Sequence, residues 1–581
     1  MDTRSTAHTL HLIAELLELQ GENRFKASAY RTAARAVAAL DLDDLGPLLR
    51  SGELERTAGV GPATIAVIRD LETTGESRLF EQLRESTPEG LLEMMRVPGL
   101  GTAKIQAIHE RLGVETLHEL EEAARNGRLA RLPRFGPKTA EKILKGIAFL
   151  RETGALVLYP HALAEGRRLL GAVRAHPDVA AAELAGSLRR HREIVRDLDI
   201  VAACRAAPEQ VAASFAHSPG VRAVVGGGGR SLQIRYVDGT LLDLHCVTPD
   251  EFAVALWRAT GNDDHVRLTG EQLAARGLTI SGDRLLDRVG ARVPVADEPA
   301  LYALAGLAWV PPELREGRGE IAAAGKDALP MLVEPGHIRG VLHCHSQYSD
   351  GASTITEMVA AAKRHGWSYL GVSDHSQSAF YAGGLTREGI DAQHEEIERL
   401  NAEMGDFRLL KGIEADILPC GRVDYDGVTL DRFDYVIASI HSRFGMDETQ
   451  MTDRVLKALD DPHLTVLGHP TGRLLLTREP YAIDMEAVLD KAAEHGVAVE
   501  LNADPHRLDL DWRMLRRAKE KGVMVEIGPD AHSTQGLENM DIGVGIARKG
   551  WIEPGDVLNA LPVEDVLAHA RRRRVGVGGT G

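Results

Sequence analysis

Apolar positions in the first 150 residues recur with the spacing of amphipathic helices, and three glycine-containing turns separate them. The turns open the segments "GVGPATIAVI" from Gly59, "VPGLGTAKIQAI" from Val97 and "LPRFGPKTAEKI" from Leu132, so that turn and helix form an internal repeat. Such a turn points backbone N–H groups and a helix N-terminus outward, which holds phosphate without recognising bases. The pattern predicts an all-helical region that contacts phosphate groups.

The pattern changes after the third turn and its helix. Strand candidates "LDIVAA", "LQIRYV" and "LLDLHCV", with a hairpin signal at residues 237–240, predict a mixed α/β region that ends near Asp250. The chain is then mainly helical up to about Ala308. The segment from Trp309 to Pro330 carries proline and glycine around a short helix, and we expect it to be a connector and the main domain boundary.

Beyond His337 seven short apolar runs alternate with helical patterns: "GVLHCH", "YLGVSDH", "LLKGIEADI", "YVIASIHS", "TVLGHP", "AVELNA" and "VMVEIGPDAH". This alternation predicts a parallel α/β barrel. In barrels the chemistry gathers at the carboxyl ends of the strands, and nearly every run here ends in His, Asp or Glu. The sequence therefore places a candidate site at one end of the barrel.

The net charge of −17 is unevenly distributed, because residues 316–581 carry 43 Asp and Glu against 29 Lys and Arg. Such an excess of carboxylates suits a domain that concentrates cations, whereas the nearly balanced residues 1–315 can still focus basic side chains on a polyanion. The four cysteines show no C-x-x-C spacing, as expected of a reduced chain without disulfides or thiolate zinc. Any bound metal must therefore use His and carboxylate ligands.

No run approaches the roughly eighteen consecutive apolar residues of a membrane span. The first twenty residues form an amphipathic pattern with Glu15 and Glu18, which differs from a signal peptide. We expect a cytoplasmic protein without a membrane partner.

His343 and His345 are two positions apart on a predicted strand, so both side chains point to one side while Cys344 points to the other. Mixed imidazole and carboxylate donors suit Mn²⁺, Zn²⁺ or Fe²⁺ better than Ca²⁺. The remaining candidate ligands lie at or just beyond predicted strand ends: Asp350, Asp374, His375, Glu414, His441, His469, Asp530 and His532.

A second constellation lies in "AGSLRRHREIVRDLDIVAA", where a Gly-Ser turn with two arginines precedes Asp197 and Asp199 on one face of a strand. Asp243 falls on the strand after the predicted hairpin and can join them. Three converging carboxylates repel one another unless divalent cations neutralise them. Two metals, with Ser and Arg on phosphate, make a site for in-line nucleotidyl transfer.

Residues 337–570 resemble a polymerase and histidinol phosphatase (PHP) domain, a phosphoesterase barrel with up to three metals, Mn or Zn or alternatively Fe. The resemblance implies that Glu414 bridges two of the metals. Arg473 and Arg507 are either phosphate clamps or ordinary surface arginines. The resemblance also implies three ligand sets: His343, His345, Glu414 and Asp530; Glu414, His441 and His469; and Asp350, His375 and His532.

Residues 1 to about 320 resemble a family X DNA polymerase, of the DNA polymerase beta group, in "RFKASAYRTAARAV", the helix-hairpin-helix turns, "GSLRR", "DLD", "LLDLHCV", "ATGNDDH" and "WVPPELREGRGEI". The resemblance implies Mg or Mn at Asp197, Asp199 and Asp243. It implies nucleotide contacts from Gly186, Ser187, Arg190, Thr260 and Gly261. It also implies DNA contacts from Lys26, Tyr30, Gly59, Gly61, Gly99 and Gly101.

Together these features predict a multidomain α/β chain with a helical N-terminal region, an α+β nucleotidyltransferase palm and a distorted (β/α)7 barrel. The expected domains are an end-binding helical domain at 1–85, a second helix-hairpin-helix subdomain at 86–150, the palm at 151–250, a nucleotide-binding subdomain at 251–315, a linker at 316–336, the PHP barrel at 337–570 and a basic, glycine-rich tail at 571–581.

Several positions depart from the family X pattern. Val67 stands where animal relatives keep a lyase lysine, so we do not expect Schiff-base removal of a deoxyribose phosphate. Arg258 and Ala259 replace the aromatic pair that packs against the incoming sugar, and Arg196 and Val266 replace a small residue and a nucleotide-contacting Asn. These departures predict a weak or permissive nucleotide pocket.

The leading hypothesis is a monomeric repair enzyme that fills gapped or nicked duplex DNA from deoxynucleoside triphosphates and trims 3′ ends, associated with the nucleoid. The barrel ligands share no residue with the aspartate trio, so we expect the two activities to be independent. One alternative is a DNA-binding nuclease or scaffold with weak or lost polymerase activity. Another is a phosphatase that acts on small phosphoesters.

Overall fold

The computed structural model describes residues 3–22, 24–40, 45–74, 77–95, 97, 100–133, 135–153, 156–236 and 239–577. The chain forms two compact units, Met1–Gly154 and Ala155–Gly581. The main division therefore follows Gly154 and does not fall in the predicted connector. The connector packs within the second unit, where Arg315 is fully buried and its Nη1 lies 2.5 Å from Glu298. In the described part of the chain, no helix is long and apolar enough to cross a membrane.

The first unit is helical, as predicted. Apolar residues of its first two helices, among them Leu10, Ile13 and Val37, form one core with residues of the later helices. The α-helices span Thr3–Leu19, Arg24–Ala38, Gly46–Ser51, Pro62–Thr74, Arg78–Ser86, Glu89–Met95, Thr102–Leu112, Leu117–Arg125 and Pro137–Thr153. Short 3₁₀ turns lie at Leu54–Arg56 and Leu129–Arg131.

The second unit begins with a mixed sheet. Strands β1 (Val157–Leu158) and β3 (Ile194–Val195) form a small antiparallel ribbon. The main sheet has the order β2-β4-β7-β6-β5, in which β4 and β7 are parallel and the other pairs antiparallel. Its strands are β2 (Val179–Leu184), β4 (Leu198–Cys204), β5 (Val221–Gly228), β6 (Ser231–Tyr236) and β7 (Leu241–Val247). The helices here are Tyr159–Arg174, Gly186–Arg189 and Pro208–Phe215.

The next part contains a small sheet that the mainly helical prediction missed. Three short antiparallel strands, β8 (Thr279–Ser281), β9 (Arg284–Leu286) and β10 (Arg292–Val293), follow one another. They pack with buried Trp257 and Tyr302. The helices are Phe252–Thr260, Asp263–Ala275, Glu298–Leu304 and Glu320–Ala324, with 3₁₀ turns at Pro312–Leu314 and Pro335–His337. Strands of two or three residues are too short to give a periodic signal.

The remainder is the predicted barrel of seven parallel strands in sequential order. Its strands are β11 (Gly340–Val341), β12 (Tyr369–Val372), β13 (Arg408–Asp416), β14 (Tyr435–Ser439), β15 (Leu464–Leu467), β16 (Ala498–Asn502) and β17 (Val525–Gly528). A parallel bridge between Cys344 and Ala531 joins the two outer strands just beyond their ends, so the barrel is nearly closed. Buried side chains such as Tyr369, Tyr435 and Val466 fill it.

Helices cover the outside of the barrel, and polar N-cap residues start several of them. Thr354, Thr386 and Asp447 each accept a backbone N–H of the first helical turn, which satisfies a donor that lacks an intrahelical partner. The helices are Ile355–Arg364, Arg387–Glu403, Gly427–Leu430, Glu448–Leu459, Met485–His495, Trp512–Glu520, Asn539–Lys549 and Val563–Val577, with 3₁₀ turns at Phe380–Ala382, Thr534–Glu538, Pro554–Asp556 and Leu558–Ala560.

Candidate functional sites

Asp199 and Asp243 lie directly opposite each other on the parallel strands β4 and β7. Burial first, and then the nearby charges of Asp197 and Asp243, raise the pKa of Asp199 to about 7. Burial and Asp197 also raise the pKa of Asp243, although a hydrogen bond from Gln233 opposes this. The strand register thus brings negative charges together in a partly buried place. A divalent cation there would reduce the repulsion between the carboxylates.

The turn after β2 fits closely against these carboxylates. Gly186 has φ +58°, and a Cβ at this position would lie only 1.7 Å from Oδ2 of Asp199. The buried Oγ of the next residue, Ser187, makes no hydrogen bond within the described residues. A buried hydroxyl without a partner is costly, so the turn has an available group for a polar ligand beside the carboxylates.

The other predicted nucleotide contacts gather near this turn. Nη1 of Arg190 donates to the Thr260 carbonyl oxygen at 2.7 Å, and its Nε donates to Glu316 at 3.0 Å. Gly261 follows, and a Cβ there would lie 2.8 Å from the ring of His265. Arg190 is therefore already paired with a carboxylate.

Arg258 and Ala259, which depart from the family X pattern, have different surroundings. Arg258 donates to the Gly282 carbonyl oxygen at 2.5 Å and to Asp283 at 2.6 Å. Asp283 also lies 2.8 Å from Nε2 of His245. Ala259 lines the same cavity as Asp199 and Asp243. Arg258 thus fastens the small sheet next to the palm, which sequence alone could not show.

At the barrel end, the nine predicted ligands meet around Glu414. Nε2 of His469 lies 2.9 Å and Nε2 of His441 lies 3.4 Å from its Oε1, while Nδ1 of His375 lies 2.8 Å from its Oε2. In the described part of the chain, every group of three or more donor atoms within 4.8 Å of one another lies here. The groups are His343, His345 and Asp530; His375, Glu414 and His441; and His345, Asp350, His375 and His532.

These groups overlap with the ligand sets that the PHP resemblance implies, and they add one detail. His375 lies near Asp350, at 3.6 Å, as well as near Glu414. The PHP resemblance implies only the third set for His375. In the structure, His375 joins the Asp350 group to the Glu414 group, and His345 joins the Asp350 group to the His343 group.

The chemistry of the donors fits divalent cations. Nε2 of His343 and both ring nitrogens of His345 are buried without hydrogen bonds to other described residues. Burial opposes ionisation of Glu414, but His441 and His343 hold the pKa of this carboxyl well below its usual range. Burial lowers the pKa of His345 to about 3, so this imidazole is neutral and can donate a lone pair.

Two further acidic residues hold the ligands in place, and the sequence analysis missed them. Oε1 of Glu500 lies 2.5 Å from Nδ1 of His343, and Oδ1 of Asp416 lies 2.7 Å from Nδ1 of His441. A carboxylate on one imidazole nitrogen directs the other nitrogen toward a metal. The available signal was an acidic residue inside a buried apolar strand, as Glu500 is in "AVELN".

Two other candidate site residues, Asp374 and Arg473, have structural roles. Asp374 is fully buried and accepts hydrogen bonds from Ser346, Ser349 and Gln393, so it holds loops together. Arg473 is nearly buried, and its Nε and Nη1 bond the Arg507 carbonyl oxygen and Asp511.

Arg507 is the only one of the two predicted phosphate clamps that lies at the candidate metal centre. Its Nε is 3.4 Å from Oδ2 of Asp530. The interpretation of Arg473 as a phosphate clamp therefore lacks support, because its guanidinium already holds the loop that carries Arg507.

The three turns of the first unit have the same hydrogen bond. An apolar residue donates its backbone N–H to the carbonyl oxygen three residues earlier, at 3.0 to 3.1 Å: Val60 to Thr57, Leu100 to Val97 and Phe135 to Leu132. A glycine follows in each turn, with open space around its Cβ position: Gly61, Gly101 and Gly136. Gly59 has φ +90°, which favours glycine. The repeat is therefore structural, and one glycine of each turn has open space beside it in the described part of the chain.

The other predicted DNA contacts differ in exposure. The Lys26 side chain is half exposed, with Glu22 at 3.9 Å. Tyr30 is only 3% exposed and packs in the helical core, so it does not present its ring to solvent. Val67 is also buried there. The predicted contact at Gly99 lies outside the described residues.

Comparison with known proteins covers most of the chain. Family models match a helix-hairpin-helix domain at residues 1–77, a SAM-like helix-hairpin-helix tandem at 91–148, a DNA polymerase beta thumb at 255–316 and a PHP domain at 342–504. Two matches are to probable phosphatases, from Caldicellulosiruptor saccharolyticus (32% identical) and Syntrophotalea carbinolica (31% identical), each covering 28% of this chain and 64% of the relative.

The fold and the two sites define a family X DNA polymerase with a C-terminal PHP domain. The DNA polymerase/3′-5′ exonuclease PolX of Bacillus subtilis (strain 168) is 37% identical over 576 residues, which cover 98% of this chain and 100% of the relative. The chain belongs to the PolX family. Its helix-hairpin-helix segments mark it as a DNA-binding protein.

Proposed function

We propose that the chain is a DNA polymerase and 3′-5′ exonuclease that fills short gaps and processes 3′ ends in repair. The observation that carries this proposal is that one chain holds both the facing residues Asp199 and Asp243 of the palm and the donor groups around Glu414 of the barrel. Its whole-length similarity to a protein named DNA polymerase/3′-5′ exonuclease supports the same conclusion.

At the palm, Asp197, Asp199 and Asp243 would hold Mg²⁺ or Mn²⁺, which supplies charge neutralisation for in-line nucleotidyl transfer. The unpartnered hydroxyl of Ser187 is suited to a phosphate oxygen of a deoxynucleoside triphosphate. Arg190 is the candidate guanidinium, because its charge acts on Asp199. Its present bond to Glu316 means that it must exchange partners, or share its other nitrogens, when a triphosphate binds.

At the barrel, nine His, Asp and Glu side chains would hold up to three Mn, Zn or Fe ions. Such ions activate water and offset charge on the attacking and leaving oxygens of a phosphodiester. Arg507 lies beside this group and can bind a non-bridging phosphate oxygen. The ligands at the centre are Glu414 with His343, His345, Asp350, His375, His441, His469, Asp530 and His532.

In this proposal the helical unit binds the DNA. Three equivalent turns with open glycines are suited to backbone phosphates of gapped or nicked duplex DNA. We infer that the protein acts as a monomer at DNA ends in the nucleoid, because one chain carries both sites and the DNA-binding turns.

A second candidate function is a nuclease or repair scaffold with weak polymerase activity. Two observations favour it: Arg190 is already paired with Glu316, and Arg258 is paired with Asp283 and does not support a sugar pocket. A small-phosphoester phosphatase is a poorer candidate, since the probable phosphatases match only 28% of this chain and leave the helical unit unexplained.

One experiment separates these functions. Primer extension and 3′-end resection are followed on the same 5′-labelled gapped DNA with Mg²⁺ and then Mn²⁺, for wild type, Asp199→Ala and His343→Ala. We expect Asp199→Ala to lose extension by about 10³-fold or more, and His343→Ala to lose resection. Each variant should retain the other activity.

Two results would contradict the proposal. Wild type that resects DNA with either metal but never extends the primer would support the nuclease or scaffold. Resection that Asp199→Ala abolishes and His343→Ala preserves would reverse the assignment of the two sites.

A further inference from the structure

Two large aromatic side chains project into solvent at the metal-binding end of the barrel. Phe380 is 85% exposed and Tyr381 is 63% exposed, and their ring centroids lie 6.1 Å apart at a steep angle of 78°. The residues on either side are buried, Ala379 fully and Ala382 almost so. The backbone is therefore packed on the barrel while both rings point outward. We call this pair the aromatic platform.

The loop that carries the platform is fastened to candidate metal ligands. At its start, the Ser376 N–H donates to the Glu414 carbonyl oxygen at 2.9 Å. At its end, the Leu385 N–H donates to the His375 carbonyl oxygen at 2.8 Å. Both ends of the loop are thus hydrogen-bonded to the backbone of candidate metal ligands.

Side chains from the following strand connection support the first part of the loop. The Gln377 N–H donates to the Tyr425 hydroxyl at 3.0 Å, and the Ser378 N–H donates to Asp424 at 2.9 Å. At the tip, the Ala382 N–H donates to the Ala379 carbonyl oxygen at 2.9 Å. These bonds hold the backbone that carries the two rings.

The platform lies at the edge of the candidate centre. Gly383 packs near the loop that carries Asp350, because a Cβ on it would lie 3.3 Å from the Ser349 carbonyl oxygen. Partial burial, and then the charges of Asp416 and carboxylates of the centre, raise the pKa of Tyr381 to about 12. The hydroxyl is neutral at physiological pH, so Tyr381 offers an uncharged ring next to the charged centre.

Exposed rings of this size usually mark a binding surface. A substrate that extends from a phosphodiester at the centre has planar, apolar bases attached to a charged backbone. Aromatic side chains bind unpaired bases by stacking, whatever their sequence. Inside a duplex both faces of a base are covered by its neighbours, and a terminal pair has only one open face, so two successive bases can reach these rings only when the end is unpaired.

We propose that Phe380 and Tyr381 stack against the last unpaired nucleobases of a DNA 3′ end and so place its terminal phosphodiester at the barrel centre. The inference rests on the proposed nuclease function of the barrel. It makes the nuclease selective for frayed, mismatched or single-stranded 3′ ends, because a fully paired end must first give up its stacking.

The test uses the full-length protein with Mn²⁺ and two 5′-labelled single strands that differ only at the 3′ end. One strand has normal bases, and in the other the last two nucleotides are abasic. The variants are Phe380→Ala, Tyr381→Ala and the conservative Phe380→Trp. Val289→Ala is the matched control, because Val289 is an exposed apolar residue outside the barrel. Hydrolysis of methyl p-nitrophenyl phosphate reports the centre without any base.

We expect wild type and Val289→Ala to degrade the normal strand about tenfold faster than the abasic one. Phe380→Ala should remove most of that preference by slowing only the normal strand, and Tyr381→Ala should reduce it. Phe380→Trp should keep the preference, and hydrolysis of the small ester should stay within about twofold of wild type in every variant.

Three outcomes would overturn the inference. An alanine variant with the wild-type preference would mean that the rings contact something other than these bases. Equal loss of small-ester hydrolysis and DNA degradation would show a structural role of the loop. Wild type that hydrolyses the small ester but degrades neither strand would contradict the proposed nuclease function, and this inference with it.

Discussion

Lys549, at the end of a barrel helix, forms a buried ion pair with Glu316 of the connector. Nζ of Lys549 also donates to the Arg190 carbonyl oxygen at 2.9 Å, and Nε of Arg190 donates to the same carboxylate at 3.0 Å. Arg190, whose charge acts on Asp199, is therefore held by a residue of the barrel. This network links the palm to the barrel, and the independence of their two activities stays a prediction.

The first prediction concerns Glu316. Glu316→Gln leaves Lys549 and Arg190 without their shared carboxylate, and loss of one partner from a buried pair should lower the free energy of unfolding by about 3 kcal/mol. Denaturant titration of the full chain measures the change, with the exposed Glu403→Gln as the control. Adding Lys549→Met to Glu316→Gln should recover part of the loss. Additive effects of the two substitutions would show that the pair is not coupled.

The second prediction concerns the turn beside the palm carboxylates. Gly186→Ala puts a Cβ where the Asp199 carboxylate lies and forces φ +58° on alanine. Primer extension should fall by about 100-fold or more because the carboxylate must move, while resection stays near wild type. Gly171→Ala is the control, since nothing lies within 4 Å of its Cβ position. Wild-type extension by Gly186→Ala would contradict the predicted role of Asp199.

The third prediction follows from the pKa of Asp199, which is raised to about 7 in the folded protein. Between its ordinary value and pH 7 the folded form binds a proton that the unfolded form has lost, so stability falls as pH rises through this range. In EDTA at pH 8, Asp199→Asn should be more stable than wild type by about 4 kcal/mol, with little difference at pH 4. Urea titrations at both pH values test it. Parallel stability profiles would refute it.

The fourth prediction concerns Glu500, whose carboxylate contacts Nδ1 of His343. Glu500→Gln removes the charge that orients this imidazole, and Mn²⁺ affinity of the barrel should fall by about 10- to 100-fold. Competition with a metal-binding dye measures the affinity on the full chain. Glu398→Gln, an exposed carboxylate of a barrel helix, serves as the control. Unchanged affinity with a folded barrel would remove Glu500 from the site.

The fifth prediction concerns DNA binding by the helical unit. If the turns hold phosphates, affinity for any duplex should fall steeply with salt, and the slope should be the same for unrelated sequences. Lys26→Ala should reduce the preference for a gap with a 5′-phosphate over one without. Fluorescence anisotropy at several salt concentrations tests both points. Equal binding of the two gaps by wild type would refute the role of Lys26.

The sequence predicted the barrel, and the residues it proposed as metal ligands lie together at one end of it, because both signals are local. Each ligand follows an apolar strand, and parallel strands bring their carboxyl ends together. The roles of Glu500 and Asp416 escaped detection because residues inside strands resemble core positions until the fold shows what they touch. The partners of Arg473 and Lys549 depend on contacts across more than thirty and more than two hundred residues. The hydrophobic periodicity of a sequence does not indicate contacts between such distant residues.

The bridge between Cys344 and Ala531 has a consequence for how the protein is made. His343 and His345 come from the first strand connection of the barrel, whereas Asp530 and His532 follow its last strand. Because a ribosome delivers the chain from its N-terminus, the palm carboxylates are complete long before the last barrel donors emerge. A nascent chain, or one truncated before residue 530, thus carries every palm carboxylate but cannot assemble the barrel centre.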